Sequence, residues 1–138
     1  MMIELPFDYW NKLAAQLIIT CAFLGGFSIA ITANLIINKS NDKLHNRILK
    51  ASTVSSGGFL ITIFAFTKIL LLTTEGYPFD VTENDINIPR IIGMITYLIG
   101  IISILTVIAL SGWTKSRKTG IFTTIVGIIT FILILLFF

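Results

Sequence analysis

The sequence predicts an all-α membrane protein built from four spanning helices, and three observations predict it. The 138 residues are 55% hydrophobic and only 12% charged, whereas soluble domains average about 45–50% apolar and about 25% charged. Four apolar runs, at about 13–37, 51–72, 91–112 and 120–138, each reach the roughly 18 residues needed to cross a hydrocarbon core of about 30 Å. Alternating segments of about ten residues, the signature of membrane barrels, do not occur, and only helices or closed barrels satisfy every backbone group in lipid. The connectors are too short for a second folded unit, so residues 1–138 are read as a single transmembrane domain.

The first run is uncharged, with Gln16 and Asn34 as its strongly polar members. Its length, with Glu4 and Asp8 ahead of it, argues for a retained span over a cleaved signal peptide. Ala22, Gly26 and Ala30 recur every four residues, a smooth ridge that another helix can approach closely. Cys21 is the single cysteine, which excludes an intrachain disulfide and dithiol chemistry.

Residues 39–50, KSNDKLHNRILK, read as an extension of the second helix, capped by Ser40 or Asn41 and projecting two to three turns from the membrane. On it Lys43, Arg47 and Lys50 fall at i, i+4 and i+7, a basic stripe. The second run opens with Ser52, Ser55, Ser56, Gly57 and Gly58. Near its far end lies Lys68, the one charge inside a run; it is expected to snorkel to head groups, pair with Glu75, or meet a pore or partner.

The connector 73–90 carries Glu75, Asp80, Glu83 and Asp85, with Gly76-Tyr77-Pro78 as a turn. It lacks the spacing of a twelve-residue calcium loop and is expected to be a solvated loop. The fourth run repeats Gly120, Thr124, Gly127 and Thr130, then becomes apolar on every side from Phe131, a half expected to face lipid. The small-residue stripes have two readings, packing within one four-helix bundle or a subunit interface or pore lining.

Charge orients the chain. The connectors after the first and third runs hold Lys39, Lys43, Arg47, Lys50, Lys115, Arg117 and Lys118 with one acid, Asp42. The opposite side holds Lys12 and Arg90 with six acids, so the positive-inside rule puts the basic connectors in the cytoplasm and both termini outside.

A single His, a single Cys, no carboxylate within the runs and no metal-ligand spacing leave no candidate catalytic residue, metal site or cofactor site, and the protein is read as a non-enzyme. A proton-coupled transporter would need an intramembrane carboxylate. A packed four-helix bundle has no room for water, so a transport role requires several subunits about an axis, a tetramer or similar ring. The pore or interface candidates are Gln16, Asn34, Ser55, Ser56 and Lys68, with Thr62 and Thr106 as further polar contacts and Phe23, Phe27 and Phe59 as a hydrophobic gate. The seven cations of the cytoplasmic face, with Trp113 able to anchor at the interface or stack on a base, form a candidate site for an anionic nucleotide or single-stranded oligonucleotide.

In size, helix number, outward termini and the basic helix Lys43, Arg47, Lys50, the chain resembles the small four-span effectors of bacterial anti-phage defence. The resemblance implies a multi-pass protein of the bacterial inner membrane, a homo-oligomeric ion channel gated from the cytoplasm by an oligonucleotide or a partner, and action by depolarisation. The alternative is a non-conducting interaction or immunity-type protein that binds another membrane protein through the ridge Ala22, Gly26, Ala30.

Overall fold

The computed structural model describes residues 6–38 and 40–137. They form four helices, α1 (Phe7–Ile37), α2 (Lys43–Leu72), α3 (Glu83–Trp113) and α4 (Arg117–Phe137), each long and apolar enough to cross a membrane. At about 1.5 Å per residue the 31-residue helices α1 and α3 reach roughly 46 Å, enough for the hydrocarbon core and both interfacial layers.

The helices α2, α3 and α4 begin before their apolar runs because local caps reach outward. Asp42, not Ser40 or Asn41, caps α2: its carboxylate accepts from the Leu44 amide at 3.3 Å, while Ser40 Oγ accepts from the Asp42 amide. Half of the expected outer loop is helix, since α3 starts at Glu83. The Thr82 amide and hydroxyl donate to Asp85 Oδ2 at 3.0 and 2.6 Å. Those bonds, with the Lys68 charge as a smaller contribution, hold the Asp85 carboxyl, which precedes the apolar run, below the ordinary carboxylate range. Pro89 is tolerated inside α3 because the carbonyl it leaves unpaired, that of Asp85, lies in the first turn near the helix end. At α4, Ser116 Oγ accepts from the Thr119 amide at 3.2 Å, starting that helix at Arg117.

The closest backbone approaches are α1 to α2, α2 to α3 and α3 to α4, while α1 also meets α3 through side chains, with Arg90 over Trp10, and Phe131 and Ile134 of α4 pack against the shared core. Accordingly α2 is the most buried helix and α4 the least. The core lies where α1, α2 and α3 meet, around Leu17, Cys21, Phe59, Phe66, Tyr97 and Ile101. Phe59 fills it edge-on to Tyr97, with ring centroids 6.4 Å apart.

The α2–α3 contact is set at Gly58. A Cβ there would stand 2.9 Å from the Thr96 carbonyl oxygen and 3.1 Å from the Gly100 amide nitrogen, both backbone atoms that cannot swing away. We expect Gly58→Ala to destabilise the fold by about 1–3 kcal/mol, measured by denaturant unfolding in detergent. Gly26→Ala should cost the fold nothing and add up to about 1 kcal/mol of helix propensity, because a Cβ at Gly26 meets no atom within 4 Å.

Alternating connections put the α1–α2 and α3–α4 connectors at one end, the basic end, and the α2–α3 connector with its acids at the other. At the acidic end Asn11 Nδ2 donates to the Leu70 carbonyl (3.3 Å) and Thr73 Oγ1 (3.2 Å), and the Arg90 guanidinium lies 5.3 Å over the Trp10 ring.

Candidate functional site: an outward stripe and a basic end

The buried face of α1 runs through Ala14, Leu17, Cys21, Gly25 and Ser28. Roughly opposite, Gln16, Thr20, Phe23, Phe27, Ala30 and Asn34 repeat with the helical period and all are exposed. Gln16 and Asn34 stand five turns apart, about 27 Å, close to the thickness of a hydrocarbon core. Between them Phe23 and Phe27 project outward, 67% and 65% exposed. The stripe therefore reads amide, two phenyl rings, amide along the axis. Asn34 Oδ1 accepts from Asn38 Nδ2 at 2.8 Å.

On the flank of this stripe Ala22, Gly26 and Ala30 are exposed, so the ridge is not used within the subunit. The other two small-residue stripes are used. On α2, Ser52, Ser55, Ser56 and Gly58 are buried, and on α4 Gly120 and Gly127 are buried in the α3–α4 contact.

Inside the subunit the hydroxyls form a closed seam. Ser28 Oγ and Ser55 Oγ are 2.9 Å apart, Thr32 Oγ1 and Ser52 Oγ 2.8 Å, and Ser52 Oγ also donates to the Ser28 carbonyl. Ser55 Oγ lies 3.2 Å from the Gly100 carbonyl, and Thr62 Oγ1 pairs with Thr96 Oγ1 at 2.9 Å. Among the described residues no buried side-chain polar atom lacks a partner. Ser55 and Ser56, proposed from sequence for a pore or interface, are thus interior residues whose hydroxyls are occupied within the subunit. The same holds for Thr62, and Phe59 belongs to the core and not with Phe23 and Phe27. Ser28 and Thr32 complete the seam and were not singled out from sequence, although their i, i+4 spacing on the side opposite Phe23 and Phe27 is the signal for them.

Lys68 is exposed and makes no ion pair with Glu75; among the described residues the ion pair is Lys12–Asp8, at 2.8 Å. It falls on the same outward side of α2 as Lys43, Arg47 and Lys50, eighteen residues or about 27 Å beyond Lys50. That spacing suits head groups on the two sides of a bilayer.

At the basic end Lys43, Arg47 and Lys50 are exposed, as are Lys115, Arg117 and Lys118; Lys39 lies outside the described residues. The first turns of α2 do not project clear of the molecule. His45 Nε2 is 2.9 Å from the Leu35 carbonyl oxygen, so they run alongside the last turns of α1, whose Ile36 and Ile37 are exposed beside them. This bond ties the basic stripe to the end of the α1 stripe one residue from Asn34. The connector cations sit apart, Lys115 in the turn after α3 and Arg117 and Lys118 in the first turn of α4. Trp113 is held there, Nε1 donating to Thr124 Oγ1 at 3.1 Å and the ring against Gly120, half exposed and partly committed to packing.

Among the described residues no three His, Cys, Asp or Glu side chains gather where a metal ion could be held. Compared with protein-family models, curated proteins and solved structures, the chain matches none of them.

Proposed function

We propose that the protein is an oligomeric channel or pore-forming effector of the bacterial inner membrane, in which the outward stripe of α1 lines a path between subunits. The observation that carries this reading is the order Gln16, Phe23, Phe27, Asn34 on one exposed line of α1. About 27 Å apart, the two amides fall at the two edges of the core, within reach of water. Facing a shared axis they supply polar mouths, and two rings of Phe between them supply a constriction that closes by dewetting. The closed hydroxyl seam supports the same choice, because it leaves no open polar surface inside one subunit.

In this reading the basic end faces the cytoplasm, in keeping with the positive-inside rule, and the termini lie outside. An anionic nucleotide or single-stranded oligonucleotide, or a partner of like charge, binds Lys43, Arg47 and Lys50, with Lys39 preceding them and the connector cations adding to the field. The His45–Leu35 bond carries a shift of α2 to the end of α1 and so biases closed against open. Opening depolarises the cell, the role implied by the resemblance to anti-phage effectors.

The ring, a tetramer or similar, assembles through the ridge Ala22, Gly26, Ala30. Gly26→Leu tests it: the subunit should fold, since no atom lies within 4 Å, yet run in detergent as a monomer where the parent runs as a ring. Absorbance at 260 nm of the purified ring reports bound nucleic acid. The exposed ridge equally favours the second reading, a non-conducting protein that binds another membrane protein. That reading expects a monomer or dimer for the parent chain and no conductance.

A further inference from the structure

A groove of about 240 Å³ runs between α3 and α4, walled by Ile102, Leu105 and Ala109 on one side and Gly127, Ile128 and Phe131 on the other. Two threonines also line it, Thr106 and Thr124. Their hydroxyls donate to their own helices, to the Ile102 carbonyl at 2.8 Å and the Gly120 carbonyl at 2.7 Å, so the groove offers apolar surface.

Its depth comes from Gly127. At Gly112 and Gly120 a Cβ would collide with Thr123 and Trp113, so the helices need glycine there to pack. At Gly127 a Cβ would meet nothing nearer than the Leu105 carbonyl oxygen at 3.6 Å, an ordinary contact. Glycine is therefore not required by the α3–α4 approach; its effect is to leave the groove open.

One end of the groove points to the cations Lys115, Arg117 and Lys118, all exposed and none in an ion pair among the described residues. From Ala109 to the end of α3, and from Thr124 back to Lys118, the rise is about 6–9 Å. That is comparable to one interfacial layer of about 5–7.5 Å, half the difference between a bilayer of about 40–45 Å and its core of about 30 Å. No acid follows Asp85 in the chain, so no carboxylate of this segment neutralises the cluster. An apolar groove one turn or so below three free cations is complementary to one kind of molecule present at that depth.

We infer that the groove binds one acyl chain of an anionic phospholipid whose phosphate head group is held by Lys115, Arg117 and Lys118. The groove does not depend on the pore reading, since α4 packs on α3 and away from the α1 stripe; only its cations also add to the field at the basic end.

The test is native mass spectrometry of the full chain in mild detergent, titrated with phosphatidylglycerol or phosphatidylcholine of the same chains. The expected result is one phosphatidylglycerol retained per subunit at a concentration at least tenfold lower than phosphatidylcholine. Arg117→Gln with Lys118→Gln should remove most of that preference, and Gly127→Leu, which fills the groove, should lower retention of both lipids at least fivefold. Ala109→Leu, on the facing wall, replaces Gly127→Leu should the latter lose its helical circular dichroism. Equal retention of the two lipids by the parent chain, a preference untouched by the charge variant, or unchanged retention with the groove filled would each overturn the site.

Discussion

Replacing Phe23 and Phe27 together with Ser is expected to make the protein leak without its ligand. Both rings are about two-thirds exposed and contribute nothing to the Phe59–Phe66–Tyr97 core, so the fold should survive. If they form the closed constriction, a hydroxyl at each level lets water stay in the path. The ion leak of reconstituted vesicles should rise at least tenfold over the parent protein without ligand. A tenfold change needs only about 1.4 kcal/mol off the barrier, well within what two phenyl rings per subunit contribute to dewetting. Phe64→Ser and Phe122→Ser, equally exposed on α2 and α4, should leave the leak at the parent level.

The second large effect concerns the basic stripe. Lys43→Gln, Arg47→Gln and Lys50→Gln together should leave insertion intact, because Lys39, Lys115, Arg117 and Lys118 still outnumber the cations of the opposite side. Binding of a single-stranded oligonucleotide should weaken by one to two orders of magnitude at low salt. Losing three phosphate contacts should also flatten the dependence of log affinity on log salt by about 2, at about 0.7 per contact for single strands. His45→Ala separates binding from gating: it keeps the three cations but removes the bond to Leu35, so ligand should bind with near-parent affinity and fail to change conductance. Parent-like binding by the triple variant would remove the α2 stripe from the account.

How far the fold can be read before the structure depends on which solvent a residue faces. The four spans are plain in the sequence because twenty apolar residues in a row have few other uses. Their ends are less so: α2 and α3 begin in polar segments held by caps at Asp42 and Thr82–Asp85, and Pro89 sits inside α3 because its missing N–H falls near the helix end. Which face of each helix points inward is hidden for a physical reason. Lipid is as apolar as a protein core, so Phe59 in the core and Phe23 on the surface carry the same hydropathy. That is why Phe59, Ser55 and Ser56 could be grouped with Gln16 and Asn34 by residue type, and only packing separates them. Which backbones approach most closely follows from where Gly58, Gly100, Gly112 and Gly120 allow them to meet, information spread over three helices.

The central claim is that the outward stripe of α1 faces water inside an assembly. It is tested most directly by thiol accessibility in intact membranes, with Cys21→Ala removing the native thiol and single cysteines at Thr20 or Phe27, on the exposed line of α1 between the two amides. Ile129→Cys and Leu133→Cys on the exposed side of α4 serve as lipid-facing controls. The account expects a charged, water-soluble thiol reagent to label Thr20→Cys and Phe27→Cys at least tenfold faster than the α4 positions. Labelling of all four at the same slow rate would contradict it.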